Sequence, residues 1–197
     1  QCFAGTIEAF HEIWWFYCST DSTTIDKYVV YNYQQDIWYY GTLDRTAWLD
    51  SGLQNFPLGA TYSSNLVEHE NGVDNNETTT PAAISANISS AQFDIDDGDR
   101  FSFVQRVVPD ITFEGSTVSS PSATLSLIPY DSSGSGISDP TSEGGSNDAS
   151  ITRTATSPVE KYTDRLDIRI RARQMSLKIE SSNSGVLWQL GSPRIDI

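Results

Sequence analysis

Four aspartates stand within six residues at Asp94, Asp96, Asp97 and Asp99, and oxygen-rich clusters of this kind hold calcium. Against the calcium-loop pattern, however, Gly98 falls one place early and no closing Glu follows. A solvated turn at Asp97-Gly98 is the better reading. His11 and His69 are the only histidines, and neither has a Cys, His or carboxylate partner at metal-ligand spacing. In Glu68-His69-Glu70 the two acids alternate away from the imidazole on a strand. With 26 acidic residues, some pair will reach the separation that glycoside hydrolysis needs by chance alone, so pairing by itself identifies nothing. No nucleophile elbow, phosphate loop or dinucleotide fingerprint occurs, and no catalytic, cofactor-binding or metal-binding residue is assigned.

Arg165, Arg169, Arg171 and Arg173 crowd one hairpin. Asp164 and Asp167 interleave with them, and Glu180 is expected on the strand that pairs back. That mixture predicts cross-strand ion pairs on a wet or subunit-contacting face, not a nucleic-acid grip. The formal charge of −14, from 12 basic and 26 acidic residues, also argues against a surface built to bind a duplex. Asn76-Glu77-Thr78 and Asn87-Ile88-Ser89 are glycosylation triplets only in a secreted chain. No charged-then-apolar leader marks secretion, and no apolar run is long enough to span a membrane. Cys2 and Cys18 are too few for a disulfide scaffold. If Ile7 faces Ile13 across a hairpin, the same register sets Cys2 opposite Cys18; an intracellular setting then predicts reduced thiols.

The elements that carry these residues are strands. The 197-residue chain reads as all-β in two regions, and its ends stop inside strand-like alternation, as expected for a piece of a longer polypeptide. Residues 1–72 are expected to form a propeller-blade-like region. Residues 3–8 with 13–18, and 28–33 with 37–41, are its two hairpins, dense in Trp, Tyr, Phe, Ile and Val. Both faces of this meander are expected to be covered, and a lone blade needs neighbours to do so. Trp14, Trp15 and Trp38 read as core or interface. The segment 45–50 is a short strand or a turn in which Trp48 caps the blade, and 66–70 is another strand.

The polar run 73–81 reads as a linker. Residues 82–197 then read as a β-sandwich-like domain, with strands at 101–108, 111–113 and 122–130. Further strands are expected near 150–156, at 166–171, from Met175 through Ile179, at 186–190 and after Pro193. The Ser/Gly-rich stretch 131–148 lacks apolar side chains and reads as a mobile loop. Apolar spacing of three and four never persists, so no substantial helix is expected.

The order of residues adds to this. Residues 12–17 (EIWWFY), 28–33 (YVVYNY), Trp38 with Gly41-Thr42-Leu43, and Arg45-Thr46-Ala47-Trp48 resemble the late propeller region of tail proteins of short-tailed bacteriophages. The likeness is to the tail nozzle, or tail tubular protein B, and the related tail hub. It continues through 93–101, 109–116, 169–175 and 188–197. The resemblance implies a structural virion protein of the phage tail and no enzyme. It implies self-association into a ring, usually a hexamer, that extends the DNA channel below the adaptor and portal vertex, retains the genome and anchors fibres or spikes. Assembly would occur in the host cytoplasm, and an acidic wall would let DNA slide through the lumen without sequence-specific binding. The principal alternative is a carbohydrate-binding β-sandwich module of a receptor-binding protein, with Trp48 or Trp188 as an exposed platform; a glycoside hydrolase fragment is a further rival.

Overall fold

The computed structural model describes residues 1–51, 55–95, 97–130 and 154–197. It is all-β, and its one helical turn among the described residues is a 3-10 segment at Glu8–Phe10. No helix among them is long and apolar enough to cross a membrane. The chain divides into two compact units, Gln1–Gly72 and Val73–Ile197.

In the first unit, β1 (Cys2–Ile7), β2 (Glu12–Tyr17), β3 (Lys27–Asn32) and β4 (Ile37–Thr42) form an antiparallel meander in chain order. The alternation of aromatic and β-branched residues suits a pleated surface that packs on two sides. Register departs from the sequence expectation by one residue: Ile7 pairs with Glu12 and Cys2 with Tyr17. The cause is local. His11 adopts a left-handed conformation (φ 60°) and donates its backbone N–H to Glu8 O at 3.1 Å, closing a shorter loop than the expected pairing needs. A one-residue slip moves every side chain to the opposite partner. Cys2 and Cys18 are therefore not opposed, and both are free thiols.

The second hairpin turns on Asn32. Its Oδ1 accepts from the backbone N–H groups of Gln34 (3.1 Å) and Gln35 (2.9 Å), while its Nδ2 donates to Phe10 O, so a buried amide organises two loops at once. Past the meander, β5 (Ala47–Leu49), β6 (Leu58–Ala60) and β7 (Leu66–Glu68) make a small antiparallel sheet. The core of this unit comprises Ile7, Trp14, Phe16, Ile25 and Val30, with Phe3, Tyr28, Tyr39, Leu43 and Trp48 packed against it.

In the second unit the run 73–81, expected as a linker, contains one short strand. β8 (Asp74–Asn75) pairs with β9 (Ala82–Ala83), and Asp74 Oδ1 accepts the backbone N–H of Gly185 at 2.7 Å. Next come β10 (Ala86–Ser89), β11 (Phe93–Asp94), β12 (Ser102–Val108), β13 (Ile111–Thr112), β14 (Ser122–Tyr130), β15 (Ala155–Glu160), β16 (Leu166–Ala172), β17 (Gln174–Ser181), β18 (Gln189–Leu190) and β19 (Arg194–Asp196). One sheet has the order β10-β17-β14-β15 with β11 also on β17; another has the order β16-β12-β19; β13 pairs with β18. Of the expected strand at 186–190, only Gln189–Leu190 is extended in a ladder. The loop expected at 131–148 and most of the strand expected near 150–156 lie outside the described residues, as does Asp96.

β16 and β17 do not form a hairpin with each other. β16 buries Leu166, Ile168, Ile170 and Ala172, and β17 buries Met175, Leu177 and Ile179 in the same core. Each strand pairs with a different sheet, and the chain changes sheet at Arg173, whose N–H donates to Tyr130 O and whose carbonyl accepts from Ile95. Glu180 consequently lies far in pairing from the arginine-rich strand and instead sits 2.5 Å from Lys178 on its own strand.

Candidate functional site

Among the described residues no group of three or more His, Cys, Asp or Glu side chains is placed to hold a metal ion. The aspartate-rich segment forms a turn: Gly98 (φ 70°) donates its N–H to Ile95 O, and Asp94 accepts from Gln174 Nε2 at 2.6 Å. Arg106 bridges Asp167 at 3.9 Å and Asp196 at 3.4 Å, Arg165 approaches Asp167 at 3.9 Å, and Arg171 and Arg173 lie over the Phe101 ring. Opposite charges thus pair across β12, β16 and β19 on the exterior. Such exposed pairs contribute roughly 0–1 kcal/mol each.

The first unit concentrates aromatic side chains on both faces of one four-stranded sheet. Pleating puts Trp14, Phe16, Tyr28, Val30 and Tyr39 on one face and Trp15, Tyr17, Val29, Tyr31, Trp38 and Tyr40 on the other. The first face is closed by the chain itself. Trp48 on β5 stacks on Trp14 (ring centroids 5.5 Å, 15° between planes), tilts against Phe16, and donates Nε1–H to Thr6 O at 2.9 Å. Gly5 makes room for it, since a Cβ there would stand 2.4 Å from Trp48 Cδ1. Trp48 therefore caps the meander and is no exposed sugar platform. Trp188, whose Nε1 donates to Ser181 Oγ at 2.9 Å, packs partly buried on the core of the second unit and is not one either.

The second face is not closed by any described residue of the unit; the neighbours that a lone blade is expected to need are not supplied by it. Trp38 is 61% and Tyr40 83% exposed. Trp38 stacks between Tyr31 (4.5 Å) and Trp15 (5.7 Å), so three rings share their faces across β2, β3 and β4. Asp36 Oδ1 accepts from Tyr31 Oη at 2.9 Å at the edge of this ridge.

Beside the covered face lies a polar cluster that sequence reasoning did not identify. Arg45, almost fully buried, donates Nε–H to His69 Nε2 at 2.8 Å, and its Nη1 donates to Asp44 O. Receiving that bond requires a neutral imidazole with its proton on Nδ1. Burial and the adjacent guanidinium hold the His69 pKa down to about 4. Gly59 admits the pair, because a Cβ there would approach Arg45 Cδ and His69 Nε2 to 2.8 Å. The only hint in sequence was this glycine in a short strand. Nearby, Glu12 accepts from Trp14 Nε1 at 3.0 Å and hydrogen-bonds Tyr39, while burial and Glu12 raise the Glu70 pKa. Burial also raises the Tyr28 and Tyr39 hydroxyl pKa values, with the two glutamates adding to the effect. These groups fix one another and the Trp48 cap, on which His69 packs at 4.5 Å between ring centroids.

No protein-family model matches the chain, and no curated protein matches it.

Proposed function

We propose that this chain is a structural protein of a short-tailed phage tail, of the nozzle or hub type. In this reading the first unit acts as a propeller blade and the second as a sandwich-like domain, together contributing to the wall of a ring around the DNA channel. The observation that carries the proposal is the uncovered Trp15, Tyr31, Trp38 and Tyr40 face of the meander, whose opposite face is already sealed by Trp48. A blade presents two apolar faces because it is sandwiched between layers, and exposed aromatic patches of this breadth mark contact surfaces. The acidic balance suits a conduit wall that repels phosphate, so that DNA passes without sticking. The partners in this account are further copies of the chain in a ring, hexameric by resemblance, together with portal-vertex adaptor proteins and fibres or spikes; the setting is the virion. The reading assigns no chemistry to the chain.

Exposure of Tyr40 and Trp38 also keeps the carbohydrate-binding reading in play. The Trp38 ring is already stacked on Tyr31 and on Trp15, which favours the packing role. A glycan array combined with electron imaging of the assembled protein distinguishes the two. Closed rings with a duplex-wide bore and no glycan hit support the tail reading, whereas monomers that retain a glycan overturn it.

A further inference from the structure

The second unit is open along one side. Its first sheet ends at an edge made of β10 and β11, and its second at β19, and between them is an apolar cleft of about 460 Å³. Ile88 and Phe93 line one lip, Leu190, Pro193 and Ile195 the other, with Leu177 among the lining residues and no charged side chain. Ile88 pairs with the buried Ile179 and belongs by register to the inward face, yet it is 47% exposed.

The backbone at this lip is also unpaired on its outer side. Ser90 donates its N–H to Leu177 O at 2.8 Å, continuing the β10–β17 register. In an antiparallel ladder hydrogen-bonded residues alternate, so Ile88 faces β17 and the N–H and C=O groups of Asn87 and Ser89 point away from it. An open edge next to an apolar gap is matched by an extended chain that hydrogen-bonds the edge and drops alternate side chains into the gap.

We propose that the β10 edge and its cleft form a docking site for an uncharged, extended segment of a partner protein, apolar at alternate positions, which adds as a strand beside β10. Charge selects this occupant: the cleft is lined by no charged group, so a charged side chain entering it would lose its hydration without gaining a partner, whereas neutral apolar side chains are favoured. Size selects it too. A four-residue edge beside one cleft matches the length of a single added strand.

The test uses the whole chain, isotopically labelled, titrated with a panel of neutral eight-residue peptides in which Val, Ile or Phe alternates with Thr or Ser. Controls are the same peptides carrying two prolines, and dodecanoate as a small apolar probe. Expected are amide shifts centred on Asn87, Ile88 and Ser89 with the alternating peptides and none with the proline forms. Ile88→Lys, which puts a charge into the cleft, and Ser89→Pro, which removes an outward N–H without touching the β17 ladder, should each weaken binding at least tenfold. Both variants are checked for an unchanged amide spectrum away from β10. Shifts centred on the opposite edge at β15, binding of dodecanoate without any peptide, or no response across the panel at millimolar peptide would each overturn the proposal.

Discussion

Lowering the pH should destabilise the first unit through His69, and a single substitution isolates the effect. The imidazole is neutral in the fold because it is half-buried beside the Arg45 guanidinium, whose Nε–H its Nε2 accepts, which holds its pKa at about 4 against 6.5 for an ordinary histidine. The unfolded chain therefore takes up a proton on this ring before the folded chain does. Stability contributed by the neutral form is fully present above pH 6.5 and declines as pH falls from there towards 4. A shift of this size, discounted for the ring's partial contact with solvent, corresponds to about 2 kcal/mol lost between pH 7 and 4.5. Glu70, whose pKa is raised, acts with the opposite sign, since its contribution is present at low pH and is lost as pH rises through its folded pKa. His69→Gln keeps an acceptor for Arg45 and leaves Glu70 in place, so the difference between the two proteins reports His69 alone. Urea unfolding followed by tryptophan emission suits the purpose, because Trp14, Trp15, Trp38 and Trp48 lie in this unit and only Trp188 in the other. The original chain should lose about 2 kcal/mol more than His69→Gln over that interval. Parallel losses in the two proteins would refute the assigned tautomer and the Arg45 bond.

Other outcomes follow from the same geometry. Gly59→Ala should cost the first unit about 1–3 kcal/mol in urea unfolding, since the added methyl drives into Arg45 and His69. Trp48→Ala removes the cap over Trp14 and Phe16 and should cost about 3–5 kcal/mol, with the fluorescence transition moving while the transition of the second unit, followed by Trp188, stays put. Cys2 and Cys18 should both remain titratable by a thiol reagent after exposure to air, Cys2 reacting faster because it is exposed, and a mass two daltons lower would contradict the register. Trp38→Asp with Tyr40→Asp should leave the fold of the first unit intact, since both side chains are mostly in solvent, while abolishing any assembly of the chain; loss of the folded fluorescence signal instead would show that these rings serve the unit's own core.

Much of the strand content could be read from sequence because alternation speaks directly of burial. Leu166, Ile168 and Ile170 announce an inward row, and the segment 122–130 is a strand from its first residue to its last. Register and pairing were harder. The left-handed turn at His11 shifts β1 against β2 by one residue, and nothing in the side-chain pattern distinguishes a four-residue loop from a five-residue one when both neighbours are apolar. Likewise β16 and β17 are separated by one residue and share inward faces, which looks like a hairpin in sequence but places the strands in different sheets once Arg173 turns the corner. The Arg45–His69 pair escaped because its members are distant in sequence and meet only over Gly59. The exposed Trp38 and Tyr40 follow the same alternation as Trp14 and Phe16; the pattern gives the two faces, while only the packing shows which of them Trp48 seals.

Electron imaging of the protein at micromolar concentration, alongside the Trp38→Asp/Tyr40→Asp variant, bears most directly on the tail-wall reading. The account predicts closed rings with a bore wide enough for duplex DNA, the Trp15–Trp38–Tyr31 ridge buried against another β layer, and disassembly in the variant. Particles that stay single, with that ridge in contact with water and no difference between the two proteins, would contradict it.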